Sequence, residues 1–295
     1  MKKVLSMAKY AGALVLALSL IAPSTASAQG EDEIIMGLVP AENNEEMIQK
    51  FEPMRAHLEK KLGKKVKLFT ATDYSGVIEA MKKKRVDIAW FGPMAYLLAE
   101  REAGAEAFAV GIGSSGKPTY FSYLLVPGDS PVKSLSELRG KAAAFVDPAS
   151  GSGGLAPTYM VKKATGMMPE QFFGKFTWAG THDSSIMAAK NKTVDVAAAA
   201  DATYERMLKA GLINADTLRI IARLELPGPP LTYRNDLPVD LKKKIQDAIV
   251  NAHNEGVKVS GFGSITRYDA ITPADYQSTR DMVKELGLKK EQMLK

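Results

Sequence analysis

The chain has 295 residues, 46% of them apolar, no cysteine and a formal charge of +6. The lack of cysteine excludes disulfides, thiolate metal sites, a cysteine nucleophile and a lipid-modified N-terminal cysteine. The charge falls to +3 once Lys2, Lys3 and Lys9 at the N-terminus are set aside, too mild to argue for nucleic acid or a membrane surface as partner.

Those lysines precede an apolar run, Ala11 to Ala22, and the run leads to Ala26-Ser27-Ala28 before Gln29. A positive start, a short apolar middle and an A-x-A end predict a secretory signal over 1–28 and an exported, periplasmic mature protein. The apolar run is well short of the roughly 20 residues that span a bilayer.

Beyond the leader, apolar strand-like runs alternate with helical patterns. Ile34 to Val39 is the first strand, and Glu45 to Leu62 a helix closed by Gly63. Val66 to Phe69 follows, then a helix from Val77 to Lys84 capped by Asp73 or Thr72. Val86 to Phe91 is a strand, Gly92-Pro93 a stop and restart, and Met94 to Arg101 a helix. Strands Phe108 to Ile112 and Phe121 to Val126 flank a glycine-rich turn. The pattern then restarts, with strands over 142–146, 173–179, 194–199 and 218–226 and helices over 155–164, 184–190 and 201–210. Helices over 241–254 and 273–286 end the chain. Such alternation predicts an α/β fold with two lobes: 29–126 in the first, 127–226 in the second, and 227–295 returning to the first. In open parallel sheets, ligands sit at the carboxyl ends of the strands. A cleft between hinged lobes is the expected site.

One loop stands out. Asp147-Pro148-Ala149-Ser150-Gly151-Ser152-Gly153-Gly154 joins a buried strand to a helix. Unpaired N–H groups at a helix start, the macrodipole and two serine hydroxyls together make an anion site; the plainer alternative is an ordinary helix cap. His182, in a strand-to-helix loop, is either an oxyanion donor or a plain loop histidine; Tyr74 and Tyr120 lie in first-lobe loops expected to face the cleft and are either pocket phenols or half-buried aromatics. Asp201 is either an N-cap or a site residue. Three scattered histidines form no metal pattern, and no metal or cofactor is expected. Ser150 or Ser152 with His182 and Asp201 is the only arrangement that would suit a hydrolase. The G-x-S-x-G elbow is missing, so the chain reads as a non-enzyme.

Asp73 to Met81, Val86 to Pro93, Asp147 to Gly153 and His182-Asp183, in that order, resemble the phosphate/phosphite/phosphonate periplasmic binding proteins of ABC transporters. The likeness runs over nearly the whole mature chain. It implies a two-lobed type II periplasmic binding protein fold that clamps its ligand between lobes. It also implies a monomer that hands a small phosphorus oxyanion to a membrane permease; a sensor presenting the same ligand to a histidine kinase is the alternative. The family's Ser-Thr-Ser cradle falls on Ser150, Gly151 and Ser152, with Gly153 following. Its pocket tyrosines fall on Tyr74 and Tyr120, and its cleft histidine on His182. Gly151 replaces the usual threonine. Where amine-selective relatives carry acids, this chain has Ala202 and the Pro227-Gly228-Pro229-Pro230 run, with Asp201 one residue before. The resemblance therefore implies phosphite or a simple alkylphosphonate as ligand, with phosphate as a further candidate.

Overall fold

The structure is a computed structural model that describes residues 33–259 and 261–294; the expected signal segment lies outside them. Among the described residues, no helix is long and apolar enough to cross a membrane.

Two mixed sheets organise the molecule. The first has the order β11-β4-β10-β3-β1-β2. Its parallel centre is β1 (Glu33–Leu38), β2 (Lys65–Thr70) and β3 (Ile88–Trp90). β4 (Ala105–Gly113), β10 (Pro230–Arg234) and β11 (Ile265–Ala270) complete it in antiparallel pairings. The second sheet has the order β7-β6-β8-β5-β9. There β6 (Ala142–Phe145) runs parallel to β7 (Lys175–Trp178) and β8 (Val196–Ala200). β5 (Thr119–Pro127) runs antiparallel to both β8 and β9 (Leu218–Pro227).

By sheet membership, 119–127 sits in the second sheet, and the chain leaves the first between Gly113 and Thr119 rather than near 126. The pairing of β5 with β9 spans about a hundred residues of sequence, a non-local register that local pattern does not reveal. β11 also lies outside the expected strands. It is an edge strand with one fully buried side chain, Tyr268, and so has little apolar periodicity.

Local chemistry sets most helix ends. Asn43 caps α1 (Asn44–Leu62), which Gly63 ends in the left-handed conformation at φ 61°. Asp73 Oδ1 accepts from Gly76 N–H (2.8 Å) at the start of α2 (Tyr74–Lys82). Pro93 opens α3 (Pro93–Ala103) with Gly92 as cap. α4 (Ala156–Thr165) follows a π-helical turn, Gly151–Leu155, and α5 (Pro169–Phe172) is a single turn. Thr181 caps α6 (His182–Lys190), accepting from Ser184 N–H (3.1 Å), so the helix begins two residues before its expected start and takes in His182. α7 (Asp201–Lys209), α8 (Val239–Val250), α9 (Gln277–Leu286) and α10 (Lys290–Met293) complete the set.

The second sheet is buried on both faces. Phe145, Phe172, Phe173 and Val196 pack on one side, and Ile186, Met207 and Leu218 on the other. Ala197 to Ala200 of β8 are fully buried, and their short side chains admit helices close to both faces. The largest apolar cluster centres on the first sheet. It continues through Tyr120, Val146, Ala149 and Leu155, which belong to the second sheet or its loops.

Candidate functional site

The carboxyl ends of β1, β3, β6 and β7 point toward one small, tightly closed cavity. Ala41, Tyr74, Trp90, Gly92, Tyr120, Ser150, Ser152, His182, Pro229 and Phe262 line it. Five of the eight residues expected in the site are therefore brought together: Tyr74, Tyr120, Ser150, Ser152 and His182.

Four helix starts converge there. Tyr74 is the first residue of α2 and His182 the first of α6. Gly92 caps α3, and Ser150 caps the π-helical turn that runs into α4. Each such end carries about half a positive charge, so the four together supply on the order of two. Among the described residues, no Lys or Arg lines the cavity. An anion placed there would meet dipoles and donors rather than a cation.

The octapeptide loop is held by hydrogen bonds of its own. Ser150 Oγ accepts from Gly153 N–H (3.0 Å), and Gly153 C=O accepts from Val146 N–H (2.7 Å). Leu155 N–H reaches back to Ser150 C=O (2.9 Å), the wide turn that brings Ser152 inward. Ser122 Oγ donates to Ser152 C=O (2.6 Å) and fixes it from β5. Gly153 does not line the cavity. A Cβ there would lie 2.3 Å from Val146 Cγ2 and 3.1 Å from His182 Cε1, so its role is close packing behind the cradle. Gly151 also sits behind the lining, where a Cβ would meet Pro93 Cδ at 2.9 Å and Tyr120 Oη at 3.2 Å.

The side chains present donors. Burial chiefly pushes the Tyr74 and Tyr120 phenols well above their ordinary range, so both keep their protons. Tyr74 meets the Ser150 hydroxyl, and Tyr120 the hydroxyl and N–H of Ser152. Tyr120 extends from β5 and so comes from the second sheet, not from the first lobe as expected.

His182 is 2% exposed, and burial lowers it to about 4, so it is neutral at pH 7. Its Nδ1 accepts from Ala200 N–H (3.0 Å), which leaves the proton on Nε2. Nε2 lies 3.5 Å from Ser152 Oγ. The ring therefore offers the cavity a donor. This tautomer also rules out a hydrolytic triad, which needs Nδ1–H on a carboxylate and a free Nε2 as base.

Asp201 stands apart. Its carboxylate accepts from Phe121 N–H (3.0 Å) and Ala202 N–H (2.7 Å) and caps no helix. It lines an adjoining groove with Glu205, Glu225 and Lys117 rather than the cavity. Burial, against those two N–H bonds, raises it to about 6.

The carbon side of the cavity was not foreseen as part of the site. Trp90 and Phe262 stack obliquely at 5.2 Å, and Pro229 and Ala41 complete that wall. The signal for Phe262 is its place between Gly261 and Gly263, an aromatic in a loop with no helical or strand period.

The family model for the phosphonate ABC transporter periplasmic substrate-binding protein matches residues 36–276. The phosphonates-binding periplasmic protein of Escherichia coli is 32% identical over 79% of this chain and 70% of its own length. The phosphate-import protein PhnD of Mycolicibacterium smegmatis is 31% identical over 91% of this chain and 90% of its own. Among solved structures, a binding-protein component of an ABC phosphonate transporter from Pseudomonas aeruginosa superposes with a TM-score of 0.77 at 30% identity. That match covers 85% of each chain.

Proposed function

The chain belongs to the periplasmic substrate-binding proteins of phosphonate ABC transporters, a family of binders rather than enzymes, and from that premise we propose that it captures phosphite or a simple alkylphosphonate. The ligand is held in the cavity between Ser150, Ser152, Tyr74, Tyr120 and His182, and the loaded protein delivers it to a membrane permease. We further propose that the mature protein acts after export to the periplasm, as its relatives do by name.

One observation carries the choice of ligand. The cavity has a side of five donors and a side of carbon, with no carboxylate in its lining. Phosphite and methylphosphonate match both sides: oxygens that accept, and a P–H or P–CH3 that needs no partner. Phosphate keeps a fourth oxygen, protonated at neutral pH, and the side chains of the Trp90, Phe262 and Pro229 wall hold no acceptor for its proton. Burying it there costs about 1–3 kcal/mol. An aminoalkylphosphonate would bring an ammonium into a cavity without a counter-charge, which is costlier still.

Phosphate is the competing reading, because the Mycolicibacterium relative carries phosphate import in its name. Calorimetry on unfolded, refolded and ligand-free protein separates them. Phosphite or methylphosphonate is expected to bind tightest, phosphate at least tenfold weaker and 2-aminoethylphosphonate weakest. Tightest binding of phosphate or of the aminophosphonate overturns the assignment.

A further inference from the structure

A cluster of charged side chains lies one residue outside the cavity, and none of its members lines it. Glu42, 1% exposed, stands in the loop between β1 and α1. Its Oε1 accepts from Thr203 Oγ1 (3.0 Å) and from Arg206 Nε (2.9 Å), both on α7. Its other oxygen pairs with Lys50 of α1. The Arg206 fork also reaches Glu46 of α1 (3.2 Å) and pairs with Asp183 of α6.

The members divide between the two sheets. Glu42, Glu46 and Lys50 lie on elements of the first; Asp183, Thr203 and Arg206 lie on helices of the second. The adjacent residues carry the division to the cavity wall. Ala41 lines the cavity, and its carbonyl accepts from His182 N–H (2.9 Å). Parting the two sides to admit a ligand must break that bond together with every contact from α7 to Glu42 and Glu46.

The same geometry makes the parting reversible. Glu42 keeps Lys50 on its own side, and Arg206 keeps Asp183 on its own. Neither charge is left alone when the sides separate, so the strong penalty for an unpaired buried charge does not arise. Burial opposes the charged form of Glu42, but Lys50 and Arg206 outweigh it and hold the carboxyl below its ordinary range. The clasp therefore persists as an ion pair at neutral pH.

We propose that Glu42, gripped by Arg206 and Thr203 across the cleft, is the closure latch of this protein: it touches no ligand, and it sets ligand affinity and residence time through the population of the closed form. A binder whose competent form is only partly populated loses apparent affinity in proportion. The inference rests on the reading of the adjacent cavity as the ligand site.

The test compares latch variants with cavity variants, using phosphite, or whichever oxyanion of the calorimetric panel binds the parent tightest. Arg206→Ala and Thr203→Val are expected to raise Kd by roughly tenfold and threefold respectively. The loss should lie in faster dissociation, with the order of preferred oxyanions unchanged. Small-angle scattering should show Arg206→Ala contracting only at correspondingly higher ligand concentration. Arg206→Lys, which keeps a charge, should recover part of the loss. A Glu42→Gln, Arg206→Ala double variant should lose less than the product of the two single losses. If Arg206→Ala does not fold, Thr203→Val and Glu42→Gln carry the same comparison. The latch is overturned if its variants bind within twofold of the parent while Ser152→Ala and His182→Ala lose affinity. If instead the cavity variants bind as the parent does, the site reading itself fails.

Discussion

The two sides of the cavity are built on different principles. The second sheet and its loops provide Ser150, Ser152, Tyr120 and His182, four of the five donors. Three of them are fixed by neighbours of their own: Ser150 by Gly153, Ser152 by Ser122, and His182 by Ala200. The first sheet provides Ala41, Trp90, Gly92 and Tyr74, and the returning chain brings Phe262. That side is mostly carbon, with one phenol and the Trp90 indole. The difference suggests a division of labour. Under the proposed function, the preorganised donor face would take any tetrahedral oxyanion, and the opposite face would sort oxyanions by their fourth substituent.

The sharpest break in that comparison comes from acid. His182 lies at about 4 in the folded protein against 6.5 in an unfolded chain, so the folded state refuses a proton that the unfolded state takes. The stability tied to neutral His182 is complete above pH 6.5 and is lost as pH falls toward about 4, roughly 3 kcal/mol over the window. Asp201 works in the opposite sense. Raised to about 6 from 3.8, it favours the folded state as pH falls through that range. The two slopes partly cancel in the parent protein. Urea unfolding at pH 4.5 and 7 should therefore show Asp201→Asn losing more stability in acid than the parent, and His182→Gln losing less. Equal acid losses in all three would mean that the donor face does not hold a neutral imidazole.

Next in size are the donors themselves. Ser152→Ala and His182→Ala each remove a hydrogen bond to a charged ligand, worth about 2 kcal/mol. Both should weaken phosphite, methylphosphonate and phosphate by a similar factor of roughly thirty by calorimetry, leaving their order intact. The carbon face should behave otherwise. Phe262→Leu keeps an apolar contact but loosens the wall, and should narrow the preference for methylphosphonate over phosphate by about 1 kcal/mol, a factor near five. A change of order in Ser152→Ala, or an unchanged ratio of methylphosphonate to phosphate affinity in Phe262→Leu, would erase the division between the faces.

The donor face was also the more legible in sequence, for a physical reason. A cradle at a strand-to-helix junction is local: small residues, hydroxyls and a helix start are contiguous over 147–154, and the alternation of apolar runs with capped helices placed it in the fold. The carbon face is assembled from β3, the link between β9 and β10, and a loop near 262, residues that meet only through tertiary packing. Tyr120 was assigned to the wrong side for the same reason, since β5 finds β8 and β9 by long-range pairing. Asp201 was misjudged because a carboxylate at a helix start ordinarily caps it. Here the amide of Phe121 on the neighbouring strand claims that carboxylate instead.

The smallest effect is expected where the two faces touch. The resemblance implies a threonine hydroxyl where this chain has Gly151, and the surroundings leave little room for one. A Cβ at 151 would press on Pro93 at the start of α3 (2.9 Å) and on the Tyr120 hydroxyl (3.2 Å). Pro93 belongs to the first sheet's side and its ring is part of a helix start, so it yields only by a shift of the backbone. Residue 151 and Pro93 lie on elements of different sheets, so parting the sheets would relieve that contact. Gly151→Ala should therefore leave the ligand-free thermal midpoint unchanged while holding the closed faces slightly apart, weakening phosphite a few-fold, under about 1 kcal/mol. Gly151→Thr restores the family's hydroxyl but adds more bulk against Pro93, and calorimetry should find it weaker than Gly151→Ala, not stronger. Tighter binding by the threonine variant would mean that the donor face is still one hydrogen bond short and that the closing faces have room to spare.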